Sequence, residues 1–579
     1  MATFSIPDDK GKIIQPNSGN SLGNVFASYG LDLDTNRGKI RLSAQVKEAL
    51  TDADDADFAG YAAAIVPYSG DLYAVSDFTF KADIDTPTTG WTKETAGTEP
   101  DVGNTITDAV VFDGLLLVAD ATDIHSYNGT TWSGTYWTST LGQSALQSGE
   151  RHLMKVGSDG NLYIVDNGNK LYKVHPVSGA TVTGAGTLDF SATSLEFTAL
   201  ATTSTRLWIG CKDTGGNFGA ILEWDMSAES TAVNRIHEIQ AEAVRCIAVW
   251  NDVPYAVLSD GRIKYFNGVN FVDYEGFEFP VAEGQKLSAD FIHPNGWDII
   301  DDLPHFLVTG RTATQTEATA TREANWAMPA GVWCMDPKVG LYCRFPIGTG
   351  ESTQEDYGKP TIKQVGALFA MKSGRYDTTK FLASYEYYLD NGSTARSVLA
   401  YYDNSNSQAT RGWLVTPFAT SLREQWKLTE LFHEPLPANA KINVYHRSSD
   451  EDGVLLSGTW VNTTTFNAVA TLTGIEAGDL AYIKGGPGSN QWIKVAGVSE
   501  SSTVTSLVLA EANSFATGGD VGAVQVFNFK YMGTISDTTR DHHDLAVPTS
   551  EKKRKRQFLF EIIQPASTSI EIDYIIIST

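Results

Sequence analysis

Cysteine is scarce. Four occur in 579 residues, Cys211, Cys246, Cys334 and Cys343, which is no disulfide framework for a chain this long. Reduced, packed thiols are expected, with Cys334 and Cys343 facing each other across a hairpin. Helix-period segments are also few, Gln45-Val-Lys-Glu-Ala-Leu50 being one short candidate. No run reaches the ~18–20 apolar residues of a membrane-spanning helix, so no membrane anchor is expected. Met1-Ala-Thr-Phe-Ser-Ile-Pro-Asp-Asp9 has neither a basic start nor an apolar stretch, so it does not read as a secretory signal. Cations are outnumbered, 43 against 69 acidic residues, for a formal charge of −26. Such a surface repels nucleic acid and anionic membranes at long range, favours solubility and suits basic partners.

Glycine, aromatics and short apolar runs are plentiful. With 52 Gly and 11% aromatics, the balance is that of a globular all-β protein. The organising stretch is Ser158-Asp-Gly-Asn-Leu-Tyr-Ile-Val165 followed by Asn169-Lys-Leu-Tyr-Lys-Val174. It reads as turn, strand, turn, strand, and it recurs. The large apolar residue in the first strand of each unit falls at Tyr73, Leu116, Tyr163, Trp208 and Tyr255, in steps of 43, 47, 45 and 47 residues. Weaker copies centre on Leu307 and Phe369. A fixed period near 45, filled by short strands, predicts a β-propeller of six to eight four-stranded blades, seven being favoured. The closest internal echo is Tyr127-Asn-Gly-Thr-Thr-Trp132 against Phe266-Asn-Gly-Val-Asn-Phe271. Each reads as an Asn-Gly hairpin with aromatic flanks on one face.

The propeller is expected over 59–405. Residues 1–58 read as an irregular arm, with three roles open: packing on the propeller, closing its last blade, or reaching a neighbouring subunit. Polar insertions at Thr312–Thr321 and Gly348–Gly358 are expected loops. Beyond Gly412-Trp413 the texture changes. Leu428–His433, Lys441–His446, Gln557–Ile563 and Ile570–Ile577 read as strands of a β-sandwich, over 406–462 and 528–579. Between them, 463–527 carries short strands and Gly-rich turns that suit a small SH3-like or OB-like barrel.

Asp32-Leu-Asp-Thr-Asn36-Arg-Gly38 opens like a calcium loop, but the sixth and twelfth positions are Arg37 and Ser43, where that loop needs Gly and Glu. A turn is the expectation. Asp541-His-His-Asp544 offers four potential ligands, but neighbours on a strand point to opposite faces, and an exposed loop is the expectation. Trp132 and Trp137 suit either sugar stacking or blade packing. The Asp-box spacing of sialidase propellers is missing at Ser158-Asp-Gly160 and Ser259-Asp-Gly261, and no G-x-S-x-G elbow occurs. No catalytic residue, metal or cofactor is assigned. The one basic block is Lys552, Lys553, Arg554, Lys555 and Arg556. It reads as a solvated loop or as a contact to an acidic neighbouring subunit.

The arrangement as a whole resembles a known group. Leu31-Asp-Leu-Asp-Thr-Asn-Arg-Gly-Lys-Ile-Arg-Leu-Ser43 precedes repeats of the Gly-x-Leu-Tyr-x-Val type, and the chain ends Gln557-Phe-Leu-Phe-Glu-Ile-Ile563 through Ile572-Asp-Tyr-Ile575. This layout resembles virion structural proteins of tailed bacteriophages, especially the propeller-bearing tail proteins that form a nozzle or hub. The resemblance implies a non-enzymatic virion protein, a nozzle, hub or adaptor component of the tail, assembled in a host cytoplasm. It implies a homo-oligomeric ring that contacts other tail or portal-adaptor proteins, around a channel that passes DNA without binding it specifically. Two alternatives stay open: a receptor protein that binds or cleaves host glycans, and a cellular propeller scaffold.

Overall fold

The structure, a computed structural model, describes residues 3–6, 27–29, 31–34, 39–51, 53–94, 106–176, 188–216, 218–226, 233–281, 285–313, 328–337, 340–347, 362–371, 379–388, 395–403, 410–416, 419–420, 428–448, 453–469, 474–485, 491–500, 505–513, 516–519, 521–546, 555–565, 568 and 570–578. Its strands form three bodies: a propeller, a sandwich and a closed barrel.

Seven four-stranded antiparallel sheets make the propeller. Blades one to six take their strands in chain order, over 64–93, 108–133, 154–189, 195–238, 244–278 and 292–346. Blade seven combines Ile362–Ala370, Lys380–Tyr388 and Ala395–Asp403 with an outer strand, Val46–Thr51, from the N-terminal side. The first strands of successive blades touch, and that of blade seven meets that of blade one, so the ring closes. Val46–Thr51 covers most of the short helix candidate. A helix this short is marginal alone, whereas pairing Val46 with Tyr402 through to Thr51 with Val398 gives its backbone a full ladder. Of the arm's open roles, this strand takes closure of the last blade.

The turn chemistry explains the repeat. Blades one, two, five and six join their first two strands through residue pairs with positive φ. These are Ser69-Gly70, Asp113-Gly114, Asn251-Asp252 and Asp301-Asp302. Two consecutive positive φ angles define the turn that matches the twist of a hairpin, and short Asx residues and glycine tolerate them best. The periodic residues Tyr73, Leu116, Tyr163, Trp208, Tyr255 and Leu307 all lie on the second strand of their blade, which is the first strand of the repeated hairpin unit. Phe369 lies on a first strand. The internal echo is structural. Asn128 and Asn267 each accept two backbone N–H bonds within their own turn. Tyr127 stacks on Trp132 at 4.8 Å, and Phe266 meets Phe271 at 5.5 Å.

The sandwich corrects the expected boundaries. One sheet runs Leu31–Asp34, Lys39–Leu42, Glu571–Ser578, Leu428–His433, His542–Ala546, with Thr3–Ile6 also paired to Glu571–Ser578. The other runs Ala27–Tyr29, Arg411–Val415, Lys555–Ile563, Lys441–Arg447, Lys530–Ile535, with Ala419–Thr420 on Lys555–Ile563. Most of the described strands in 1–58 therefore belong to the sandwich rather than to an irregular arm. The barrel is closed and six-stranded, and it begins at Val454–Asn462 rather than at 463. That strand pairs with both Thr465–Ala468 and Val521–Phe527, which fixes it in the barrel wall.

Apolar cores run across the junctions. The sandwich core of Leu31, Ile40, Leu431, Val444, Phe560 and Ile572 continues into Cys334 and Tyr342 of blade six. On the sandwich's other side, Trp413, Tyr445 and Leu559 pack with Tyr482, Trp492 and Phe527 of the barrel. Lys441–Arg447 is thus buried on both faces, Ile442 and Val444 inward and Tyr445 against the barrel. All four cysteines are buried free thiols. Cys334 and Cys343 do share a hairpin, but Cys343 pairs with Trp333 and Cys334 with Tyr342. One register step puts the two thiols on opposite faces, and they join different cores.

Candidate functional site

The most built-up polar cluster lies at the propeller's centre. The first strand of blade six, Ile292–Ile300, is interrupted between Ile292 and Trp297, where its register with Leu303–Val308 shifts. The interruption is His293-Pro-Asn-Gly296, an extra loop of the kind that re-aims a strand. Asn295 Nδ2 donates to the Ala63 carbonyl at 3.0 Å and to Asp108 Oδ1 at 2.6 Å. Ala63 leads into blade one and Asp108 opens blade two. Neither blade neighbours blade six in the ring, so these bonds cross the central axis. Cys246 of blade five donates to the Pro294 carbonyl at 3.9 Å. Gly296 faces blade seven, where a Cβ would stand 3.1 Å from the Gly366 carbonyl and 2.9 Å from that of His293.

Asp108 anchors the crossing. Oδ1 also accepts from Ala109 N at 2.8 Å, and Oδ2 accepts from Met154 N of blade three at 2.7 Å. Burial raises its carboxyl pKa, opposed by the Met154 amide, the Lys155 charge and the Asn295 amide. His293 is 3% exposed, lies 5.5 Å from the Tyr61 ring, and accepts a hydrogen bond at Nδ1 from the backbone N–H of Asn295. Burial, with the charge of Arg151, lowers its pKa well below the ordinary histidine range, so the ring is neutral at pH 7. With Asp108 committed to three donors and His293 uncharged, the cluster is suited to holding blades together across the axis. Nothing in the sequence reading singled it out. The available signal was Pro294-Asn295-Gly296, a turn run inside an otherwise apolar strand.

The predicted site residues fall elsewhere. Lys552, Lys553 and Arg554 lie outside the described residues, and Lys555 opens the strand Lys555–Ile563, its backbone paired with Thr420. Arg556 is 1% exposed. It shares strand parity with Phe558, Phe560 and Ile562, which face the sandwich core. Its Nη1 donates to His446 Nδ1 at 2.5 Å. Arg556 is therefore an interior residue of the sandwich, and neither the solvated-loop reading nor the subunit-contact reading holds for it.

His542 and His543 open the strand His542–Ala546 where a loop was expected, and they separate as strand alternation requires. His542 stacks on Phe432 at 4.3 Å, and His543 on His433 at 5.2 Å. Among the described residues no group of three or more His, Cys, Asp or Glu is placed to hold a metal ion. Leu31–Asp34 and Lys39–Leu42 form a hairpin, while the tip of the calcium-like run, 35–38, lies outside the described residues. Trp132 and Trp137 are 5% and 1% exposed. Trp137 donates Nε1–H to the Ser144 carbonyl, and neither ring is free to stack on a sugar.

No family model matches the chain, and no curated protein does. Solved structures do. The WD40 domain of Pan2 from Neurospora crassa is 10% identical with a TM-score of 0.37, over 63% of this chain and 98% of that one. The N-terminal domain of Nup159 is 11% identical with a TM-score of 0.34, over 68% and 100%. The computationally designed protein Ika8 is 11% identical with a TM-score of 0.31, over 67% and 99%. At these values the likenesses say nothing of function, and the propeller assignment rests on the seven sheets themselves.

Proposed function

We propose that the chain is a non-enzymatic structural building block, a propeller scaffold in general terms and, more specifically, a ring-forming nozzle or hub component of a tailed-phage virion. One observation carries the reading as a building block. Apolar cores pass without a break from blade six into the sandwich and from the sandwich into the barrel. Three bodies joined in this way move as one rigid piece, which suits a part that must hold its shape within an assembly. The finer reading rests on the layout: a hairpin at 31–42 ahead of the repeats, and a sandwich that closes on the last strand, Glu571–Ser578. In that setting the DNA channel belongs to the ring of copies and not to the propeller, whose axis is crossed by Asn295. An acidic chain of −26 fits a wall that does not grip passing DNA. The experiment is incubation of the purified protein with host surface polysaccharide. No oligosaccharide is released on this account. Release that one carboxylate substitution abolishes overturns it.

A further inference from the structure

A second polar cluster lies where blades five, six and seven begin. Arg245 stands on the first strand of blade five, Val244–Trp250. Its Nη2 donates to the Leu287 carbonyl at 3.2 Å. Ser288 follows and donates its backbone N–H to the Arg311 carbonyl at 3.2 Å. Arg311 donates through Nη2 to Asp290 and to the Lys363 carbonyl of blade seven. The segment 287–290 thus brings both guanidinium groups to one place.

Among the described residues three donors there have no partner. Arg245 Nε, Arg311 Nε and Ser288 Oγ are all shut off from solvent and make no hydrogen bond. Arg311 is 3% exposed and Ser288 6%. A buried donor left unmade costs about 1–3 kcal/mol, more when it is charged. The charges do not balance either. Asp290 is bonded to Arg311 and lies in the field of Arg245, so it faces two cations. The other nearby carboxylates have cations of their own, Glu242 with Lys286 at 2.5 Å and Glu386 with Lys363 at 3.1 Å. Arg245 also lies in the field of Glu242, so among the described residues Arg245, Arg311, Lys286 and Lys363 face the carboxylates of Asp290, Glu242 and Glu386, and one positive charge is left over in an otherwise acidic protein. A water molecule can accept from the donors but leaves that excess in place.

We propose that Arg245, Ser288 and Arg311 form a binding site for one compact oxyanion, a sulfate, a phosphate or a carboxylate. Its oxygens accept from the two Nε–H groups and the serine hydroxyl, and its charge offsets the second guanidinium. The test is thermal unfolding of the full chain with sodium sulfate or sodium acetate added, each against sodium chloride at matched ionic strength. Sulfate reports a tetrahedral anion and acetate a carboxylate. The midpoint rises with the logarithm of concentration for at least one of them beyond the chloride control. Arg245→Gln loses that excess. Ser288→Ala, which removes only a hydroxyl, weakens the apparent affinity roughly tenfold and decides the matter if the arginine variant does not fold. Arg206→Gln, at the blade-four pair with Glu223, keeps the full response. No excess over chloride for either anion, or an excess unchanged in the variants that fold, overturns the site.

Discussion

Acidification should loosen the sandwich through one histidine. His446 sits at the end of Lys441–Arg447, 1% exposed, accepting a hydrogen bond from Arg556. Burial, then the charges of Arg556 and Lys530, push its pKa from 6.5 down to about 4. A depressed histidine pKa means that the unfolded chain binds the proton first. The stability His446 permits is therefore complete above pH 6.5 and is lost as pH falls toward 4. A gap of about 2.5 units at 1.36 kcal/mol each gives about 3 kcal/mol lost by pH 4. Hydrogen exchange, corrected for the intrinsic rate, measures it on Lys441–Arg447 and Lys555–Ile563. Between pH 7 and pH 4 the wild type should lose about 100-fold in protection beyond His446→Gln, which cannot titrate. Equal losses in the two proteins would refute the reasoning.

Three further outcomes follow from named contacts. Asp108→Ala strands the amides of Ala109, Met154 and Asn295 in the propeller's centre, so it should cost about 2–4 kcal/mol in denaturant unfolding. Gly366→Ala puts a Cβ 2.2 Å from the Ala62 carbonyl and should lower the thermal midpoint, with a cost of about 1–3 kcal/mol or more. Replacing Lys552, Lys553, Arg554 and Lys555 by Gln or Ser should leave folding intact and weaken assembly, read by sedimentation at low and high salt. Extending the change to Arg556 should also destabilise the sandwich, by about 1–3 kcal/mol, because the neutral His446 ring loses its buried hydrogen-bond donor.

What the sequence made legible was whatever repeats or is local. The blades announce themselves because each second strand is a short apolar run, as at Leu115–Ala119, and because their turns need Asx or Gly. After 411 the sandwich strands Leu428–His433, Lys441–Arg447, Lys555–Ile563 and Glu571–Ser578 were readable, whereas Arg411–Val415, Lys530–Ile535 and His542–Ala546 were not. Before residue 43 alternation showed only the strand Lys39–Leu42. Thr3–Ile6 and Ala27–Tyr29 are short, and their partners, Glu571–Ser578 and Arg411–Val415, lie hundreds of residues away. No local signal encodes such pairing. Arg556 was hidden differently. Five successive cations suggest solvent, yet alternation from Phe558 and Phe560 already pointed position 556 inward. The channel crossing was missed because Pro294-Asn295-Gly296 breaks a strand whose continuation, Trp297–Ile300, pairs normally again.

The reading as a ring-forming virion part is tested most directly by imaging native tailed-phage particles with the chain labelled. The account predicts density for several copies in a closed ring at the tail, each with its propeller, sandwich and barrel held as one rigid piece. Particles without the labelled chain, together with purified protein that stays monomeric at every salt and concentration, would contradict it.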